Sequence, residues 1–347
     1  MNKILPLLLL LFASFFAQSQ PQPRPKLVVG IIVDQMRQEF MERFALSDGK
    51  DGFNRLVTGG FVCKNVHFNY IPTYTGPGHA SVFSGTTPAF HGIVGNDWYD
   101  RGRKRSVYCT ADSTEQLVGL NVKNRGASAR HLMGTNLADE MKIFSNHKAR
   151  VISLSIKDRA SVLPAGHMAD AAYWLNQDSG AFVSSTYYMT SLPGWVSQFN
   201  KGTWKYLNVP WTPMKPASAY PGSQDAGKDF SYPINNFRDV YNTPAGNAIL
   251  TDLALEALQK EDFGKDEHTD FLTISYSSPD AVGHTFGPLS KEVNDLYLRL
   301  DADIARLLDA LDQQVGKDNY LLFLTADHGI ADVPQYLTDH KVPAGYV

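Results

Sequence analysis

The residues of this chain that could do chemistry stand in a few short stretches. Thr75 opens Thr75-Gly76-Pro77-Gly78-His79, just ahead of an apolar segment at 80–83. Gly76 and Gly78 let backbone approach a ligand closely. Pro77 suits the first turn of a helix, where its missing N–H costs nothing. A hydroxyl at such a helix start faces unpaired N–H groups and a partial positive charge, which suits a phosphate or an alkoxide. A Thr cap before a Gly-Pro turn has the same local signature. Asp34 ends the apolar run 26–34, Asp280 and His284 follow the run 270–276, and Asp327 and His328 follow the run 319–325. Carboxylates and imidazoles together suit Zn²⁺ better than Mg²⁺ or Mn²⁺. Each group also has a plain structural reading: a helix cap for Asp34, an i, i+4 pair for Asp280 and His284, a hydrogen-bonded couple for Asp327 and His328. Their joint placement after apolar strands, in company with Thr75, is far more specific than any one of them. Lys157 and Arg159 flank Asp158 at the end of the run 149–156, where two cations are either solvated or form an anion site. Asn96, in the glycine-spaced loop 91–97, is a turn residue or a ligand contact.

These groups need elements to bring them together. The run 26–34 is apolar on both faces, which predicts a central buried parallel strand. Further strands are expected at 61–68, 149–156, 270–276 and 319–325. Helices are expected at 35–44, 53–57, 244–260 and 291–315, and at 128–144 with Met133, Leu137, Met141 and Phe144 on one face. The fold class is α/β, a mostly parallel central sheet flanked by helices. In such a sheet the carboxyl ends of the strands share one edge, so the acids and histidines can converge there. From 167 to 243 Trp, Tyr, Pro, Ser and Gly crowd together, with a hairpin turn at 176–180. This block is read as an insertion over the sheet, a cap or pocket wall.

With 43% hydrophobic residues the chain can fill a substantial core, and a net charge of -3 gives no reason to expect a nucleic-acid or polybasic membrane partner. Residues 1–19 read as a secretory signal, with Lys3, an apolar run at 4–16 and small residues at Ala17 and Ser19. The run is too short to span a membrane comfortably. No Cys stands near the cleavage site, so no stable membrane anchor is expected. The product is an exported protein, periplasmic or secreted. Cys63 and Cys109 can pair in such a compartment or stay free.

From about residue 26 to the C-terminus the chain resembles the alkaline phosphatase superfamily. The residues that carry the resemblance are Val33-Asp34-Gln35-Met36, Pro72-Thr73-Tyr74-Thr75-Gly76-Pro77-Gly78-His79, Gly95-Asn96, Ser155-Ile156-Lys157-Asp158-Arg159, Pro279-Asp280-Ala281-Val282-Gly283-His284 and Thr325-Ala326-Asp327-His328-Gly329. The overall pattern is similar to the type I phosphodiesterase/nucleotide pyrophosphatase branch, and within it to phosphate-irrepressible periplasmic alkaline phosphatases with a Thr nucleophile. The resemblance implies an alkaline phosphatase-like catalytic domain over 26–347 and two zinc ions. Asp34, Asp327 and His328 hold one, with Thr75 as its variable ligand, and Asp280 and His284 hold the other. A late His normally completes the second site. The only His after His328 is His340, too close in sequence to match it comfortably. A missing C-terminal part and an incomplete second site are therefore expected.

The activity implied is hydrolysis of small phosphate monoesters, with broad specificity, through a phosphothreonine at Thr75. Asn96, Lys157 and Arg159 donate to the phosphoryl oxygens, and these donors favour monoesters over diesters. A monomer is expected. A phosphodiesterase or nucleotide pyrophosphatase is the enzymatic alternative, phosphonate hydrolysis stays open, and a metal- or phosphate-binding remnant is the non-enzymatic one. A sulfatase is rejected, because the Cys/Ser-x-Pro-x-Arg motif is replaced by Thr75-Gly76-Pro77-Gly78-His79.

Overall fold

The run Leu27–Val33 (β1) is buried almost throughout because it pairs in parallel on both sides. The computed structural model describes residues 24–45, 51–121, 125–220 and 229–345, so the expected signal at 1–19 lies outside the described residues. The other strands are β2 Asp97–Asp100, β3 Arg105–Tyr108, β4 Ala111–Val118, β5 Arg125–Ala127, β6 Val151–Ser155, β7 Ala171–Leu175, β8 Phe182–Ser185, β9 Asp270–Tyr276 and β10 Tyr320–Thr325. The main sheet runs β10-β1-β9-β6-β7-β8-β4-β5. From β10 to β7 every pairing is parallel, and from β7 to β5 every pairing is antiparallel. β2 and β3 form a separate hairpin.

The longer helices are α1 Gly52–Gly59, α2 Thr75–Ser84, α3 Leu137–Phe144, α4 Asp158–Ala165, α5 Ala245–Lys260, α6 Ser278–Phe286 and α7 Lys291–Gln314. Helices cover both faces of the parallel part. Leu250, Leu253 and Ala257 of α5 and Leu300, Ile304 and Leu311 of α7 join Val29 and Ile31 in one core. Ala80 and Phe83 of α2, Ala138 of α3 and Val162 of α4 join Ile32 in the other. Each fully buried Leu or Ile contributes about 1.5–3 kcal/mol of transfer free energy, which is why α7 keeps its strict apolar stripe.

Several expectations are corrected. Residues 61–68 form no strand, and Phe61 is 92% exposed. Neither alternate face of that segment is consistently apolar, since Asn65 and His67 interrupt one and Lys64 the other. The expected helix at 128–144 is only α3. Asn136 caps it in a reciprocal pair with Asp139, each backbone N–H donating to the other's side chain at 3.0 and 3.1 Å. Most of the face predicted to be core is turned outward, with Met133 63% and Phe144 75% exposed, while Met141 packs against the core. Polar groups share the inward side with Ala138: the Lys142 Nζ donates to Asp170 and to the Ala149 carbonyl at 2.8 Å, so its burial is satisfied. The helix expected from 35 begins at Gln38 and continues as a π-helical turn, because Gln35 lies in the left-handed region at φ 71°.

Within 167–243, β7 and β8 extend the sheet, joined at the expected hairpin turn. The later part is pinned to α7 through the buried Asp295, which accepts from Trp211 Nε1 at 2.7 Å, Met214 N at 2.6 Å and Tyr220 OH at 2.6 Å. Cys63 is exposed, Cys109 is buried, and both are free thiols. Among the described residues no helix is long and apolar enough to cross a membrane.

Candidate active site

Strand ends supply the polar groups, as open parallel sheets require. Asp34 follows β1, Asp327 and His328 follow β10, Asp280 lies in the first turn of α6 after β9, and Lys157 precedes α4 after β6. Asp34 is held by its own N–H, which donates to the Tyr276 carbonyl at 3.0 Å. Gln35 then ties three strand ends together. Its left-handed backbone directs its N–H to Asp327 Oδ1 at 3.1 Å, and its side-chain amide donates to Asp280 Oδ1 at 2.8 Å.

Asp34, Asp327 and His328 offer ligand atoms that all lie within 4.8 Å of one another, a possible metal-binding group. Asp34 Oδ1 and Asp327 Oδ2 are buried and accept no hydrogen bond from the described residues. His328 Nε2 stands 3.3 Å from the first and 3.7 Å from the second. Buried carboxylate oxygens left without donors are costly, and a divalent cation beside an imidazole removes that cost. The donor set therefore fits a metal ion such as zinc. Asp280 and His284 face each other one helical turn apart at 3.1 Å, with His284 70% exposed. His340, by contrast, is exposed and lies against Tyr336, the ring centroids 4.2 Å apart, outside this group.

Thr75 is the first residue of α2 and is buried. Residues 75, 78 and 79 share one helical face, and that face lies against Asp327. A Cβ on Gly78 would meet the Asp327 carbonyl oxygen at 2.3 Å. His79 donates from Nδ1 to the Thr75 carbonyl at 2.9 Å and stands 3.2 Å from Asp327 Oδ2. Its Nε2 pairs with Ser275 Oγ at 2.7 Å. Asn96 Oδ1 accepts the Gly76 N–H at 2.7 Å, which places Asn96 beside the turn that begins at Thr75.

Lys157 Nζ lies 2.6 Å from Asp34 Oδ2 and 2.7 Å from Asp280 Oδ2, so the lysine sits between carboxylates of the two expected metal sites. Arg159 donates from Nη1 to Tyr108 OH at 3.1 Å, and its buried Nε has no partner among the described residues. A cleft of about 460 Å³ opens beside these cations, with Trp174, Arg238 and Tyr241 on its walls. Burial works against charge on His328, but Asp327 and Asp34 outweigh it and raise its pKa to about 10. Burial likewise opposes ionisation of Asp327, yet His79 and His328 bring it down to about 2. Asp280 is held below the usual carboxylate range despite its burial and the nearby Asp34, through His284 and Lys157. The site is thus a set of fixed carboxylates under the N-terminus of a helix, with cations on one flank.

Gln35, His79, Tyr108 and Asp158 take part in this arrangement without having been assigned roles from sequence. His79 could have been found from its i+4 spacing to Thr75. Gln35 had no such signal, since its role depends on a left-handed backbone.

The profile described as type I phosphodiesterase/nucleotide pyrophosphatase matches residues 28–344. Alkaline phosphatase PafA of Elizabethkingia meningoseptica is 41% identical over 350 residues, covering 93% of this chain and 63% of that protein. Alkaline phosphatase PhoV of Synechococcus elongatus is 41% identical over 345 residues, covering 94% of this chain and 62% of that protein. The chain thus spans less than two thirds of the length of these curated relatives. The crystal structure of wild-type PafA superposes with a TM-score of 0.89 at 40% identity, covering 94% of this chain and 67% of that one. Sequence profile, relatives and fold agree: the chain belongs to the type I phosphodiesterase/nucleotide pyrophosphatase family of the alkaline phosphatase superfamily.

Proposed function

We propose that this chain forms the catalytic domain of an exported, zinc-dependent phosphomonoesterase of broad specificity, which releases inorganic phosphate through a phosphothreonine at Thr75. The observation that carries the reading is the group Asp34, Asp327 and His328, its two carboxylates buried, lying against the Thr75 end of α2. These three residues and Thr75 would hold one zinc ion, and Asp280 with His284 would hold a second. Bound zinc lowers the pKa of a ligated hydroxyl and stabilises charge on oxygen. His79 fixes the Thr75 carbonyl and so the start of the helix. The Thr75 oxygen forms a bond to phosphorus as the ester P–O bond breaks, and the leaving oxygen takes a proton. Water then cleaves the phosphothreonine and regenerates the hydroxyl. Asn96, Lys157 and Arg159 serve as donors toward the phosphoryl oxygens, where preorganised hydrogen bonds contribute most. The curated relatives named alkaline phosphatases support the monoester reading.

Residues 26–347 are taken as one catalytic domain, in which β7 and β8 belong to the sheet and the rest of 167–243 is the insertion. Small phosphate monoesters are the substrates, the protein acts as a monomer, and the compartment is periplasmic or extracellular.

The test is hydrolysis of a chromogenic phosphate monoester beside its diester analogue, with added zinc and after chelation. A zinc-dependent preference for the monoester is expected. Thr75→Ala is expected to abolish turnover while leaving the thermal unfolding midpoint nearly unchanged. Diester preference would move the reading to a phosphodiesterase, and turnover retained in Thr75→Ala would remove the nucleophile. Zinc uptake without any turnover would favour a binding remnant.

A further inference from the structure

Arg159 receives its orientation from a neutral group. Its Nη1 donates to Tyr108 OH at 3.1 Å, and the Tyr108 hydroxyl donates in turn to Asp158 Oδ1 at 2.6 Å. Asp158 is itself fixed, because Oδ1 also accepts the Arg159 N–H at 2.8 Å and Oδ2 accepts Thr110 Oγ1 at 3.1 Å. The chain thus places a phenol between a carboxylate and the guanidinium next to it in sequence. A direct bidentate pair with Asp158 would occupy two of the five guanidinium donors and neutralise the charge. A single phenol lone pair occupies one. The buried Nε has no hydrogen-bond partner among the described residues, so the side chain keeps donor capacity that Asp158 does not use.

Tyr108 ends β3, and its partner in the hairpin register is Asp97. The next residue, Cys109, donates its N–H to the Asn96 carbonyl at 2.8 Å. One hairpin therefore carries both Asn96, at the nucleophile turn, and Tyr108, at Arg159. Burial, and after it the charge of Asp158, pushes the Tyr108 phenol above its ordinary pKa, so it stays a donor to Asp158.

We infer that Tyr108 is a positioning residue that aims the Arg159 guanidinium at the phosphoryl group and thereby sets the preference for monoesters over diesters; the inference rests on the function proposed above. A monoester presents three non-bridging oxygens to the site and a diester only two. A donor fixed on the third oxygen therefore contributes to one reaction and not the other. Without the phenol, the guanidinium is free to turn onto Asp158 and leave that oxygen.

The test uses Tyr108→Phe, Arg159→Ala, Asn96→Ala and the double variants, all loaded with zinc. For the monoester, kcat/KM in Tyr108→Phe is expected to fall about tenfold more than for the diester, the scale of one charge-assisted hydrogen bond. Tyr108→Phe should add little on top of Arg159→Ala, and should multiply with Asn96→Ala. Asp158→Asn, which keeps an acceptor for the phenol, should retain the preference that Asp158→Ala loses. Equal losses on monoester and diester, or losses of Tyr108→Phe and Arg159→Ala that multiply, would overturn the inference. Inorganic phosphate affinity, measured by calorimetry, reads the same geometry without turnover. It should weaken in Tyr108→Phe, and an unchanged affinity would overturn the inference even in a chain that hydrolyses nothing. A wild-type enzyme that turns over without monoester preference would instead overturn the proposed function.

Discussion

At the scale of the residue, the site depends on one missing methyl group. Gly78 lets α2 lie directly on the carbonyl of Asp327, where a Cβ would come within 2.3 Å of backbone oxygen. Backbone cannot step aside as the tip of a side chain can. Gly283 makes the contrast, since its Cβ would meet side-chain atoms alone, the Gln35 amide and Ile330 Cδ1. Gly78→Ala is therefore expected to destabilise the fold by about 1–3 kcal/mol, the usual cost of overpacking. It should also weaken zinc binding, by pushing Thr75 away from Asp327. Urea denaturation and a zinc titration check the two effects, and a variant with unchanged stability would show that α2 shifts freely. Residue types at this scale were readable in the sequence, since a Thr before Gly-Pro-Gly and acids after apolar runs announce their chemistry. The glycine's contact was not, because Asp327 lies 249 positions away.

At the scale of the element, the turn after α2 is locked by His91. The Ile93 N–H donates to His91 Nδ1 at 3.2 Å, so the ring proton is on Nε2 and faces Ser81 Oγ at 2.9 Å. Burial lowers the His91 pKa from 6.5 to about 4. The unfolded chain then binds this proton more readily than the folded one between those values. The stability contributed by neutral His91 is full above about pH 6.5 and is lost as pH falls toward 4. Denaturation midpoints across that window should decline with falling pH, and His91→Gln should flatten the decline. Identical slopes in the two proteins would contradict it. The elements themselves were legible where periodicity was strong. β9 spans the expected residues, and α7 keeps its stripe. α3 was misread because most of its apolar stripe, Leu137 and Phe144, faces outward, while a salt-bridged lysine and a capping box help to hold the inner side.

At the scale of the whole molecule, four parallel strands deliver charge to one edge of the sheet. Asp34 and Asp327 bring two buried, unpartnered carboxylate oxygens to one place. A cation bound there favours the folded state by mass action, by about 2.7 kcal/mol when free ligand is one hundred times Kd. Zinc should therefore raise Tm by several degrees and chelation should reverse the shift. Asp327→Asn should blunt the response. A Tm indifferent to zinc in the unmodified chain would count against the metal site.

The sequence by itself determined which residues could act and which strands could carry them, because apolar runs and local spacing record burial and helical pitch directly. The tertiary structure decided which groups meet. Only the parallel register of β1, β9 and β10 sets Gln35 on both Asp327 and Asp280, and only the β2–β3 hairpin sets Tyr108 between Asp158 and Arg159. Such meetings join residues tens or hundreds of positions apart, and no local pattern of hydrophobicity encodes a distance of that kind.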